Sequence, residues 1–138
     1  MKTIAVVPAR GIGDALLMMI AAHQCTRAGH RATLYHTHLC ELSSWFPENV
    51  IRPDSQPLFP CDLVIAENDN SERVKNLLNT RRAQLALFYP SYKPSKHGPL
   101  HPLDCVFDPL RPMADNISHA VAQWLGSTPS KENGIPPP

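Results

Sequence analysis

The sequence lacks the long apolar run that a membrane span requires. Its longest such run, from Ala15 to Ala22, is well short of the roughly 20 residues that cross a bilayer. The apolar start of the chain is also too short for a signal peptide, because Arg10 interrupts it. We therefore expect a soluble, cytoplasmic protein that contacts the inner membrane surface, if at all, through its loops.

An excess of charge and a cysteine framework are also missing. The net charge is +1 at pH 7, so nothing electrostatic favours a nucleic-acid partner. The four cysteines form no CxxC pair, and free thiols in a reducing compartment are the simplest interpretation. His36 and His38 with Cys40 suggest a metal site only weakly, because no fourth ligand has a recognisable spacing.

Proline, in contrast, is abundant, with 15 of 138 residues. The prolines gather at 47–60, at 90–112 and at the end of the chain, where they predict loops and a stiff tail. The length fits one domain. We predict that this domain covers residues 1–126 and that residues 127–138 form a proline-rich linker.

Strand-like and helix-like patterns alternate between the loops. Strands are predicted at 3–8, 31–36, 50–52, 61–67 and 84–89, helices at 15–27, 38–46, 72–79 and 112–125, and a long loop at 90–111. This alternation predicts an α/β fold, a Rossmann-like parallel sheet with helices on both faces. Such a sheet binds its ligand at the carboxyl ends of its strands.

The loop after the first strand, from Pro8 to Asp14, is the most informative segment. Its glycines, Gly11 and Gly13, are expected to allow a sharp turn and the close approach of a ligand. Asp14 stands at the start of an apolar helix, whose amino terminus stabilises a carboxylate. Position alone leaves two interpretations open for Asp14, a helix-start residue or a catalytic acid.

A nucleotide-binding function is disfavoured by what this loop lacks. The pattern has two glycines and no third, and there is no P-loop lysine. The following strand ends in His36-Thr37-His38, without the acid that holds a ribose.

Residues 4–17, IAVVPARGIGDALL, resemble the opening motif of glycosyltransferase family 9, the ADP-heptose:lipopolysaccharide heptosyltransferases. In that family a strand leads into a glycine-rich turn that ends in Gly-Asp, followed by an apolar helix. Residues 62–66 and 111–126 are similar to a later strand and to the helix that closes the amino-terminal domain. Residues 134–138 look like the start of the linker to a second domain.

The resemblance implies a domain equivalent to the amino-terminal, acceptor-binding half of a GT-B glycosyltransferase. Asp14 matches the base of an inverting transfer to a lipid A–core-like sugar acceptor. No metal or other cofactor acts at the reacting centre in this family, and a nucleotide-sugar donor such as ADP-heptose would bind the other half.

Three side chains are expected to contact the acceptor. Arg10 adjoins the glycine-rich turn, and Lys93 and Lys96 lie in a basic loop that also carries aromatic residues. The alternatives are a solvated arginine and an ordinary mobile loop. Trp45 and Trp124 are expected in the core or at a domain interface.

A complete enzyme of this kind needs about twice this length, because each half is a domain of ordinary size. Three interpretations stay open: a cloned domain, a truncated reading frame, or one partner of a split enzyme whose donor-binding domain is supplied by another chain. In each case we expect the isolated chain to be inactive. The alternative is a non-catalytic remnant or a protein-interaction domain that retains the fold.

Overall fold

The computed structural model describes residues 1–58, 60–79 and 84–135. The strands are β1 (Thr3–Val7), β2 (Arg31–Tyr35), β3 (Val50–Arg52), β4 (Leu63–Glu67), β5 (Leu85–Tyr89) and β6 (Cys105–Val106). They form one sheet in the order β3-β2-β1-β4-β5-β6, and every pairing is parallel. The predicted α/β fold with a Rossmann-like parallel sheet is therefore confirmed.

Five helices accompany these strands within the described residues. They are α1 (Ile12–Arg27), α2 (Thr37–Glu41), α3 (Glu72–Asn79), α4 (Pro94–His97) and α5 (Met113–Leu125). The α1 helix is buried along most of its length, as its apolar sequence predicts. Gly29 (φ 90°) and Gly126 (φ 65°) follow α1 and α5 in left-handed conformations, which glycine adopts without steric cost.

Two apolar clusters cover the two faces of the sheet. Side chains alternate between faces along a strand, so Val6 and Ile65 belong to one cluster while their neighbours Val7 and Ala66 belong to the other. The first cluster contains the buried sides of α1 and α5, which pack against each other. The second contains Val74 of α3. Helices on both faces therefore bury a sheet that is apolar on both sides, which explains its continuous apolar strands.

The structure corrects the predicted helix between β2 and β3. A single helix over 38–46 is wrong, because α2 ends at Glu41 and a separate 3₁₀ turn covers Ser43–Trp45. The helix begins early because the ring of His36 accepts the N–H of Leu39 and so caps it. Trp45 lies in that turn with 57% of its surface exposed, so it is not a core residue. Trp124 is half-buried and packs on Phe88, with ring centroids 5.2 Å apart.

The predicted long loop over 90–111 is also wrong in part, since it contains α4 and β6. Pro94 occupies the first turn of α4, where its missing N–H costs nothing, and Gly98 (φ 73°) ends the helix. The β6 strand has two residues and pairs with the end of β5. A strand this short leaves almost no periodic pattern in the sequence, which is why it was missed.

Residues 127–135 run back across the body of the domain. Gln24 of α1 donates to the carbonyls of Ser118 and Thr128, at 3.2 and 3.3 Å. Asn49 donates to the carbonyl of Asn133 at 3.4 Å. The segment thus contacts both α1 and the chain before β3. Residues 136–138 of the predicted linker lie outside the described residues.

No helix among residues 1–58, 60–79 and 84–135 combines the length and the apolar character that crossing a membrane demands.

Candidate functional site

The sheet creates a crevice beside the end of β1. The β1 strand pairs with β2 on one side and with β4 on the other. After β1 the chain enters α1 on one face of the sheet, and after β4 it enters α3 on the opposite face. All described strands are parallel, and their carboxyl ends share one edge. In sheets of this order, ligands bind at that edge, at the point where the strand order reverses. Here that point is flanked by the loops after Val7, Tyr35 and Glu67.

The loop after β1 is held in place by a buried histidine. His36 is 3% exposed, and its Nδ1 accepts the Leu39 N–H at 3.1 Å. Its Nε2 therefore carries the proton and donates to the carbonyl oxygen of Arg10 at 2.9 Å. Both ring nitrogens are used in structural hydrogen bonds. His36 thus joins the loops that follow β1 and β2 and fixes the backbone just ahead of Gly11.

Asp14 lies half-buried in the first turn of α1, at the same edge of the sheet. Gly11 is the residue at the amino end of the helix, and no side chain caps this end by a hydrogen bond. A methyl group on Gly11 would lie 3.0 Å from Oδ2 of Asp14, which places that carboxylate directly over the Gly11 backbone. The carboxylate therefore sits beside the positive end of a long helix.

The expected reason for the two glycines needs correction. Gly11 has φ −61° and ψ 141°, and Gly13 lies within α1, so neither adopts a conformation reserved for glycine. Gly11 instead gives the Asp14 carboxylate room. A methyl group on Gly13 would meet nothing within 4 Å, so that position faces open space. Gly11 and Gly13 therefore leave space for a close neighbour, and they do not form a sharp turn.

Glu67 is the main functional candidate that the sequence did not reveal. It ends β4, is 3% exposed, and its Oε1 has no hydrogen-bond partner among the described residues. Burial, followed by the negative charges of Asp14 and Asp69, raises the pKa of Glu67 to about 7. Its carboxyl group is therefore about half protonated at pH 7 and largely protonated below about pH 6. The available signal was an acid directly after an apolar strand, at the edge where ligands bind.

A small cavity of about 190 Å³ opens at this edge. Its polar lining comes from four loops or helix starts and contains both cations and acids. The polar side chains are those of Arg10, Tyr35, His36, Asp54, Asp69, Ser71 and Arg73.

Arg73 is the second arginine of this cavity and was not singled out from the sequence. Its guanidinium lies over the ring of Tyr35, 5.4 Å from the centroid. It donates to the carbonyls of Asp54 and Gln56, and burial lowers its pKa, although the group stays charged. Arg10, whose side chain is exposed, lines the same cavity. Two arginines at one opening suit an anionic group such as phosphate.

The predicted lysines are close to this site without joining the cavity. Lys93 and Lys96 are exposed on and beside α4, which follows β5. Because β5 is two strands from β1, they lie at the same edge, about 10 Å to one side. The loop that carries them is ordered by packing, since the ring of His97 stacks on Tyr92 at 5.7 Å.

The cysteines and potential metal ligands do not form a centre in the part of the chain that the structure describes. No group of three or more histidine, cysteine, aspartate or glutamate residues there is placed to hold a metal ion. Cys25 is completely buried, and burial raises the pKa of its thiol to about 12, so it remains protonated. Burial also raises the pKa values of Cys61 and Cys105.

Comparison with known proteins gives no further assignment. No family model matches the chain, and neither curated proteins nor solved structures yield a match.

Proposed function

We propose that this domain binds the sugar acceptor of an inverting glycosyltransferase of the family 9 kind, with Asp14 as the base. The observation that carries the proposal is the position of Asp14 over Gly11, at the reversal point of the sheet. The resemblance of residues 4–17 to the family's opening motif supports the same residue. A half-buried carboxylate there can contact a ligand hydroxyl.

The chemistry requires a carboxylate beside the acceptor hydroxyl. Asp14 would accept the hydroxyl proton as the oxygen attacks the anomeric carbon of the donor, on the face opposite the leaving diphosphate. Proton transfer at this step contributes roughly 10²–10⁴-fold to the rate. A second domain would bind the nucleotide-sugar, as the family resemblance implies.

The small cavity at this edge of the sheet suits an acceptor that carries phosphate. Arg10 and Arg73 line it from two different loops or helices, and Lys93 and Lys96 add positive charge along the same edge. A lipid A–core acceptor combines hydroxyls with phosphates, so both kinds of group have partners here. The isolated domain holds this acceptor without transferring a sugar.

Amide NMR during a titration with a lipid A–core oligosaccharide tests the proposal. We expect saturable shifts confined to Gly11, Gly13, Asp14 and the start of α3. Replacing Asp14 with Asn should weaken binding about 10- to 100-fold, because a hydrogen bond to a charged group contributes about 1.5–3 kcal/mol.

The control substitution is Asp115→Asn, a first-turn acid of α5 whose carboxylate pairs with Lys131 at 3.2 Å instead of lining the cavity. It should leave the affinity unchanged. Shifts that are absent, or spread evenly over the surface of a folded sample, would refute acceptor binding and favour a non-catalytic interaction domain.

A further inference from the structure

The small cavity at the carboxyl edge of the sheet is lined by charged side chains of both signs. Arg10 comes from the loop after β1 and Arg73 from α3, while Asp54 follows β3 and Asp69 follows β4. The formal charges of these four side chains sum to zero. A spherical void of 190 Å³ is about 7 Å across, so all four surround a space that one small ligand can fill.

The positive side of the cavity is fixed in place and still has donors to offer. No salt bridge neutralises Arg10 or Arg73 within the part of the chain that the structure describes. The guanidinium of Arg73 lies over Tyr35 and gives two of its five N–H groups to backbone carbonyls. The other three N–H groups have no partner among the described residues. An anionic ligand group can therefore bind this guanidinium without displacing it.

The negative side of the cavity is built in the same way. Oδ1 of Asp54 accepts the hydroxyl of Thr37 at 2.6 Å, and Oδ1 of Asp69 accepts the N–H of Ser71 at 3.0 Å. Neither Oδ2 has a hydrogen-bond partner among residues 1–58, 60–79 and 84–135, and neither aspartate is fully buried. The cavity thus presents acceptors for an ammonium group beside donors for a phosphate.

We propose that this cavity binds a zwitterion in which a phosphate and a primary ammonium group are two carbons apart. The phosphate lies against Arg10 and Arg73, and the ammonium group donates to Asp54 and Asp69. A phosphate alone binds less well, because the two acids oppose the attraction of the two arginines, and an amine alone meets the converse repulsion. The inference rests on the proposed function and narrows the acceptor to one whose phosphate also carries an amine.

Amide and guanidinium NMR during a titration with O-phosphoethanolamine tests the inference. One matched control is propyl phosphate, in which a methyl group replaces the ammonium group, and the other is ethanolamine, which lacks the phosphate. We expect saturable shifts at the Ser71 amide and at the Arg73 Nε–H. The affinity for phosphoethanolamine should exceed that for either control by about 10- to 100-fold, because each control loses the charge-assisted hydrogen bonds of one end.

The substitution Asp69→Asn separates the charge of this residue from its shape, because the amide oxygen can still accept the Ser71 N–H. Phosphoethanolamine should bind this variant about 10-fold more weakly, whereas propyl phosphate should bind it more tightly because one repelling charge is gone. Asp62→Asn is the control. Asp62 precedes β4, and its carboxylate likewise accepts a backbone N–H, that of Thr3 at 2.8 Å. It should change neither affinity.

Propyl phosphate that binds as tightly as phosphoethanolamine would show a plain anion site, and ethanolamine that does so would show a plain cation site. Either result overturns the inference. An Asp69→Asn variant that weakens all probes alike, or a folded sample without shifts at Ser71 and Arg73, would overturn it as well. None of these results affects acceptor binding at Asp14, which the oligosaccharide titration measures separately. Conversely, zwitterion binding without oligosaccharide binding would leave the phosphate–amine site and refute the glycosyltransferase proposal.

Discussion

Ionisation of the buried Glu67 beside two other acids destabilises the folded domain. Its pKa is about 7 in the folded domain against an ordinary value of 4.5. Below pH 4.5 the group is neutral in both states and contributes nothing to the pH dependence. Between these values the unfolded chain has already lost the proton that the folded domain retains, so stability falls as the pH rises. Above about pH 7 the loss is complete.

We predict that Glu67→Gln removes this loss. From pH 4 to pH 8, the free energy of unfolding of the variant should rise by about 3 kcal/mol relative to that of the wild type. Urea unfolding at pH 4, 6 and 8 measures it. Glu72→Gln, on the exposed start of α3, should follow the wild type at each pH. A constant difference between Glu67→Gln and wild type would show that the folded domain does not hold this proton.

At the scale of the element, the start of α1 offers two glycines with different neighbours. Gly11→Ala fits the backbone, yet its methyl group would lie 3.0 Å from Oδ2 of Asp14 and displace the carboxylate. Gly13→Ala meets nothing within 4 Å and lies inside the helix. The two variants therefore form a matched pair, in which one substitution reaches the candidate base and the other does not.

We expect Gly11→Ala to change the Asp14 carboxyl ¹³C shift while stability changes by less than about 1 kcal/mol. Gly13→Ala should leave that signal in place and stabilise the domain by about 0.5–1 kcal/mol, because alanine favours helix. Thermal unfolding and carboxyl NMR measure both effects. An unchanged Asp14 signal in Gly11→Ala would contradict the close approach of these residues.

Some of the strands and helices are predictable from the sequence, and others are not. Apolar strands such as β1 and β4 are visible in the sequence because burial on both faces demands unbroken apolar runs. Helix α4 and strand β6 were missed because four and two residues are too few for a periodic pattern. The position of β6 also depends on its pairing with β5, which single-sequence patterns do not report.

The candidate site was predictable only where it lies in one segment. Asp14 follows its glycines directly, so a local motif points to it. Glu67 and Arg73 join the site through the β1–β4 pairing, which brings together residues about 60 positions apart. The burial of Glu67 and the place of Arg73 in the cavity are properties of the packed sheet, and no local spacing reports them.

At the scale of the whole molecule, residues 127–135 act as a strap across α1. Gly134 has φ 84°, and a methyl group there would collide with Nδ2 of Asn49 and lie 2.9 Å from Nδ1 of the buried His23. Gly98 shares the positive φ, at 73°, but has nothing within 4 Å. Alanine at either position is strained by its backbone, and only at Gly134 does it also collide.

We predict that Gly98→Ala costs about 1 kcal/mol and leaves the strap in place. Gly134→Ala should detach the strap, because His23 is too confined to yield. Trypsin cleavage after Lys131, which pairs with Asp115 at 3.2 Å, should then become several-fold faster. Equal cleavage rates in the two variants would mean that Gly134 does not anchor this segment.

The central position of β1 has a consequence for how the domain folds. Asp14 follows β1, while Glu67 ends the strand that pairs with it across a long stretch of intervening chain. Until that long loop closes, Glu67 remains in water and ionised at neutral pH. Docking of β4 brings it beside Asp14 and removes it from solvent. Completion of the sheet at pH 6 is thus also a protonation reaction, in which the folding chain takes up a proton from the buffer.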